Sequence, residues 1–145
     1  MEKRNVLFVM SSLRNGGAER SLVNLLQLLD YDRYNVDLLL FQNEGLFLKQ
    51  VPKAVNIISN CNKLYTLYDN NKAEALKHPY LSAIHMIGTF ISRKKTNSVA
   101  KSRQYRWEHF YKKIVPELTK EYDVAIAYMQ REQTYFLVDK VKAAK

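Results

Sequence analysis

Val6-Leu-Phe-Val-Met10, then Ser11-Ser-Leu-Arg-Asn-Gly-Gly17, then Ala18-Glu-Arg-Ser-Leu-Val-Asn-Leu-Leu-Gln-Leu-Leu29 is the stretch that decides the fold. The first five residues are a continuous apolar run of strand formers, the pattern of a strand covered on both faces. The next seven form a polar loop ending in two adjacent glycines. Ala18, Leu22, Leu25, Leu26 and Leu29 then recur at helical spacing, with Arg20, Asn24 and Gln27 opposite them. Glu19 falls in the first turn, where a carboxylate complements the positive end of the helix dipole.

The same rhythm continues outward. Val36–Phe41 and Val55–Ile58 read as a second and a shorter third strand, and Gly45–Val51 as a helical turn stopped by Pro52. Tyr122–Met129 reads as a fourth strand, followed by a helix over Thr134–Lys145. Strands alternating with helices predict an α/β domain: a Rossmann-like open parallel sheet, strand order 3-2-1-4, with helices on both faces.

The whole of 1–145 is expected to be one such domain, interrupted over 72–120 by a basic helical insertion. Pro79 opens a helix there with Tyr80, Ile84, Ile87 and Ile91 on one face. A polar break over 92–98 separates it from a second helix. That helix carries Trp107, Phe110, Tyr111, Ile114, Val115 and Leu118 at helical spacing, with a kink at Pro116. Residues 93–120 hold nine basic side chains against Glu108 and Glu117, so +7 of the chain's +9 lies in this segment.

Composition narrows the function classes. With 145 residues, 47% hydrophobic and 26% charged, the chain is globular, and four Gly and three Pro exclude collagen-like and linker-like classes. Cys61 is the only cysteine, so no intrachain disulfide forms, and an ordinary thiol in a reducing compartment is the expectation. The apolar start is too short for a signal-peptide core, and no run approaches the roughly 18 residues of a spanning helix. A cytoplasmic protein, at most peripheral at the inner face of the plasma membrane, is expected.

Chemistry-bearing motifs are few. The glycine loop matches neither GxGxxG nor GxxxxGK[ST], and no GxSxG, HExxH or carboxylate pair stands out. His78, His85 and His109 lack a second ligand at metal spacing, so neither a metal nor a resident cofactor is expected. Asn15-Gly-Gly-Ala-Glu-Arg20 is the sharpest feature. It is either a glycine-shaped turn or a backbone cradle for an anion at a helix start, with Arg14 and Arg20 alongside.

The basic helices leave three readings open: packing alone, packing with an acidic membrane surface added, and nucleic-acid binding. The membrane reading points to Lys94, Lys95, Lys101, Arg103 and Trp107 as contacts. Nucleic acid is the less favoured partner, since no helix-turn-helix, zinc-finger or RNP-type pattern accompanies the charge.

Val6 to Leu26, with Gly-Gly-Ala-Glu-Arg at 16–20, resembles the opening of family 4 glycosyltransferases of the GT-B fold, and Tyr122–Tyr128 resembles a later strand of theirs. The likeness covers 5–41 and 122–139. It implies a retaining enzyme of two Rossmann-like domains that transfers a sugar from a nucleotide-sugar donor to a polysaccharide, lipid-linked or cell-envelope acceptor. Carried over by position, Gly16, Gly17 and Arg14 line the cleft, and Gln130 and Arg131 face the acceptor. The family's two donor-side glutamates, eight positions apart, have no counterpart here. The resemblance therefore places the catalytic residues beyond Lys145 and predicts no transfer by residues 1–145 alone. A non-catalytic anion-binding module and a basic nucleic-acid-binding domain are the alternatives.

Overall fold

The computed structural model describes residues 2–58, 67 and 76–144. Cys61 and the first residues of the expected 72–120 insertion lie outside them. The chain divides into a sheet unit, residues 1–60 and 117–145, and a helical unit, residues 61–116.

In the sheet unit, β1 (Arg4–Met10), β2 (Tyr34–Leu40), β3 (Asn56–Ile58) and β5 (Val124–Ala127) form a parallel sheet in the order β3-β2-β1-β5. This is the expected arrangement and is consistent with a Rossmann-like fold; a two-residue strand, β4 (Glu121–Tyr122), precedes β5. Register runs from Arg4 beside Tyr34 to Met10 beside Leu40, and from Val6 beside Val124 to Val9 beside Ala127.

Alternate residues serve opposite faces. Val6, Phe8, Met10, Val36, Leu38 and Leu40 share a buried cluster with Leu22, Val23 and Leu26 of α1 (Gly17–Leu28). Each such side chain contributes about 1.5–3 kcal/mol through burial. On the other face, α4 (Glu132–Lys140) sets Phe136 edge-on against Phe41 at 5.8 Å between ring centres. Leu25, expected in the apolar stripe, is exposed, and Val23 takes the buried place.

Three expected boundaries move. Asp123 interrupts the Tyr122–Met129 strand: its Oδ2 accepts from the Asn5 N–H at 2.7 Å, and its own N–H donates to the Asn5 carbonyl at 2.9 Å. The last helix spans Glu132–Lys140 rather than Thr134–Lys145. Lys142–Ala143 instead forms β6, paired in parallel with Glu121–Tyr122, so a tertiary ladder overrides helix-forming composition. The turn before Pro52 is a 3₁₀ helix over Leu46–Gln50.

In the helical unit, α2 (Pro79–Lys95) and α3 (Val99–Arg106) are joined through Thr96–Ser98. The face of α2 that is buried carries Leu81, Gly88 and Ser92, not the expected Tyr80 and Ile87, which are exposed. Small residues permit close packing: a Cβ on Gly88 would stand 3.3 Å from the Phe110 ring. Beyond α3 the chain widens into a π turn, Trp107–Tyr111, closed by the Lys112 N–H donating to the Trp107 carbonyl at 2.9 Å. Turns end it by Val115, so Pro116 stands after the helix instead of kinking it. Proline disfavours helical backbone in the residue before it.

Candidate functional site

Three loops leave the carboxyl ends of the central strands: Ser11–Gly16 after β1, Phe41–Gly45 after β2, and Tyr128–Arg131 after β5. The strand order reverses between β1 and β5, and in open parallel sheets the crevice at such a reversal is where ligands settle. Gly16, Gly17, Arg14, Gln130 and Arg131 all belong to loops or helix starts on this edge. The topology thus brings together two segments more than a hundred residues apart in sequence. Ser21 Oγ of α1 and Tyr128 Oη after β5 tie them with a 2.9 Å hydrogen bond, and the Tyr128 N–H donates to the Val9 carbonyl at 3.0 Å.

Each predicted residue has a definite place. Gly16 is the N-cap of α1 in extended backbone, and the exposed Gly17 opens the helix. Neither has positive φ, and a Cβ on Gly17 would meet nothing within 4 Å. The turn therefore does not need glycine at Gly17 for its backbone conformation. A Cβ on Gly16 would overlap the Glu19 carboxylate, which folds back over the helix start and complements its dipole. An incoming anion at that helix start meets this carboxylate first.

Arg14 is held in an ion pair with Glu44, its Nε donating to Oε1 at 2.7 Å. Arg20 is exposed on the polar face of α1. Gln130 and Arg131 are exposed, and Arg131 is the N-cap of α4.

Gly45 is the glycine that sequence reasoning missed. Its φ is +131°, and a Cβ there would collide with the Leu13 carbonyl. Around it the two loops are zipped by backbone hydrogen bonds: Leu13 N–H to Glu44 O at 3.0 Å, Leu46 N–H to Arg14 O at 3.2 Å and Phe47 N–H to Leu13 O at 3.1 Å. Gly45 thereby lets the β2 loop press against the β1 loop and fixes the backbone from which Gly16 starts.

A buried polar cluster underlies the sheet's other face. Asp37, in the middle of β2, accepts from Asn56 Nδ2 at 3.0 Å, Lys120 Nζ at 2.9 Å and Tyr122 Oη at 2.7 Å. Burial pushes the Asp37 carboxyl up, but the hydrogen bonds from Lys120, Tyr122 and Asn56 outweigh it and hold it below the ordinary value. Burial, with the Asp37 carboxylate beside it, pushes the Tyr122 phenol upward. The signal for this cluster was a lone acid in the apolar run Val36–Phe41, which needs a buried partner.

A groove of about 680 Å³ lies at the opposite, amino-terminal edge, lined by Arg4, Asn5, Glu121, Tyr122, Asp123 and Lys142 among others. Its charges are mixed, and it faces away from the edge where parallel sheets bind ligands.

In the helical unit, Lys94, Lys95 and Lys101 are exposed and Arg103 is half-buried. Lys94 Nζ sits 4.6 Å from the centre of the Phe90 ring, and Lys95 Nζ 5.5 Å from that of Tyr105. Trp107 is 1% exposed, so its ring is unavailable to a bilayer, and that membrane contact is corrected. On α2 the exposed apolar side chains are instead Tyr80, Met86, Ile87 and Phe90, with Met86 71% and Phe90 62% exposed.

His85 Nδ1 pairs with Tyr111 Oη at 3.0 Å; burial lowers its basicity, with nearby Arg106 adding to the effect against a hydrogen bond to the Leu67 backbone. His109 stacks on Tyr105 at 4.0 Å between ring centres. Among the described residues no three His, Cys, Asp or Glu converge on a metal-sized site, and no helix is long and apolar enough to cross a membrane. Comparison with protein-family models, curated proteins and solved structures finds no match to this chain.

Proposed function

We propose that the chain is the front part of the N-terminal, acceptor-side domain of a family 4-like, GT-B glycosyltransferase. The observation that carries this reading is the Val6–Leu28 strand, loop and helix set at the reversal point of a parallel sheet, with Gly17 open to solvent. The enzyme would break the bond between the sugar's anomeric carbon and the nucleotide diphosphate. It would form a bond from that carbon to an acceptor hydroxyl, with retention, and the acceptor's proton would depart. The amide N–H groups that begin α1 have no intrahelical partners and would suit a phosphate or sugar oxygen once the Glu19 carboxylate that folds over them turns aside. Such donors stabilise charge on the leaving diphosphate without reorganising. Gln130 and Arg131 would hold the acceptor across the β1–β5 crevice, and the principal donor contacts would come from a second domain.

Attachment to an anionic membrane surface accompanies this reading. It is supported by Lys94 beside the exposed Phe90, with Met86 and Ile87 exposed on the same helix and Lys95, Lys101 and Arg103 in the same unit. Nucleic acid remains the less favoured partner.

Gly17→Val, made in the polypeptide that the complete reading frame encodes, tests the proposal. The fold has room for the side chain, so stability should change by no more than about 0.5 kcal/mol, while sugar transfer falls at least tenfold. Unchanged transfer in the folded variant would remove this loop from the site.

A further inference from the structure

The helical unit holds a second feature that the glycosyl-transfer reading does not use. Between the end of α2 and the start of α3 lies a cavity of about 400 Å³. Arg93, Thr96, Asn97, Ser98, Arg103 and Arg106 are among the residues that line it, and none of its described lining residues is acidic. Arg93 and Arg106 bring two cationic side chains to the lining of one small volume, and an anion there would accept forked N–H donors.

The walls are built rather than incidental. Arg106 Nη1 donates to Ser102 Oγ at 3.4 Å, and Ser102 Oγ donates to Ser92 Oγ at 2.8 Å, both serines being buried. Ser92 Oγ in turn donates to the Thr89 carbonyl at 3.1 Å, and Thr96 Oγ1 donates to the Ser92 carbonyl at 2.8 Å. This chain joins α2 to α3 and fixes Arg106, from one helix, toward a cavity that Arg93 and Arg103 also line. The volume lies within the range of small-ligand pockets.

We propose that this cavity binds a phosphate monoester, a compact dianion whose several oxygens suit the guanidinium forks of Arg93 and Arg106. The phosphate belongs either to a soluble metabolite or to a lipid headgroup. The proposal depends on the cavity and its arginines and not on glycosyl transfer, so it stands or falls separately from the Gly17→Val result.

The test measures binding of the full chain to two probes. One is glycerol 3-phosphate, titrated calorimetrically. The other is phosphatidylcholine vesicles carrying phosphatidate, compared with vesicles carrying phosphatidylglycerol, a diester, at matched surface charge. Saturable binding of glycerol 3-phosphate assigns a soluble ligand. Preference for phosphatidate vesicles without glycerol 3-phosphate binding assigns a headgroup.

In either case Arg93→Gln and Arg106→Gln should weaken binding at least tenfold, while Lys113→Gln, an equal loss of charge outside the cavity, should change it less than twofold. Circular dichroism checks each variant; if Arg106→Gln loses helical signal, the exposed Arg93→Gln decides. The proposal is overturned if glycerol 3-phosphate does not bind and the two vesicles bind alike or not at all, if Lys113→Gln costs as much as Arg93→Gln, or if only single-stranded nucleic acid binds.

Discussion

The sheet unit and the helical unit both bury aromatic and aliphatic side chains, yet they balance charge in opposite ways. The sheet unit carries twelve basic against eleven acidic residues, a net +1, and its cations find acids nearby: Arg14 meets Glu44, and Lys120 meets Asp37. The helical unit carries eleven basic against three acidic residues, a net +8, and exposes Met86, Ile87 and Phe90. An unbalanced charge of that size costs stability by self-repulsion and is relieved by an anionic partner. The difference separates two kinds of unit: one uses polar groups to hold loops in place, and the other carries the net positive charge that the proposed anionic surface or ligand would meet.

The largest expected effect lies inside the helical unit. Trp107→Ala should destabilise the protein by about 3–5 kcal/mol in urea unfolding, because the ring is fully buried. A change below about 1 kcal/mol would mean that the ring is on the surface, and would restore it to the membrane contacts.

Next comes the sheet unit's loop clasp. Gly45→Val forces a β-branched residue to φ +131° and drives its Cβ into the Leu13 carbonyl, so about 3 kcal/mol or more should be lost. The same replacement at Gly17 should be nearly silent in the same unfolding experiment. Equal losses at the two glycines would erase the distinction between a glycine required by the backbone and one left open for a ligand.

Asp37→Ala should cost about 2 kcal/mol at neutral pH. This is less than for a fully buried pair, because Lys120 is 43% exposed and regains water. The folded carboxyl titrates below its unfolded value, about 3.9. Its contribution is therefore complete above the unfolded value and is lost as pH falls through the folded one. Thermal unfolding from pH 6 to pH 2 should show a shallower acid limb in Asp37→Ala than in wild type. Parallel limbs would show that the cluster contributes no pH dependence.

The smallest effect on stability belongs to the basic surface. Replacing Lys94, Lys95, Lys101 and Arg103 by Glu should abolish co-sedimentation with acidic liposomes, which in wild type weakens with added salt. Tm should shift little, because each exposed site changes stability by less than about 0.5 kcal/mol in either direction. Undiminished sedimentation of the variant would mean that Met86, Ile87 and Phe90 hold the membrane without the charges.

These contrasts also show which parts of the molecule the sequence makes legible. Buried parallel strands announce themselves as apolar runs, and the order β3-β2-β1-β5 follows from their alternation with helices, because tight connections leave few topologies. The loop positions Gly16, Gly17, Gln130 and Arg131 were legible for the same reason: each follows a strand's carboxyl end. Gly45 was not, since its positive φ arises from backbone meeting backbone thirty residues away, which no local pattern encodes. Trp107 and the exposed face of α2 were misjudged for a related reason. A stripe at helical spacing gives a periodicity but does not say whether it meets the core or a bilayer, and small residues such as Gly88 and Ser92 seat the buried face without any apolar signal.

In the proposed function, the Gly16–Gly17 edge of the sheet belongs to half of a two-domain sugar-transferring enzyme. Determining the reading frame beyond the codon for Lys145 tests it most directly. That function predicts an open frame that completes the first sheet and then encodes a second α/β half, with two glutamates eight positions apart. A stop codon directly after Lys145, or a continuation without a second α/β half, would contradict it.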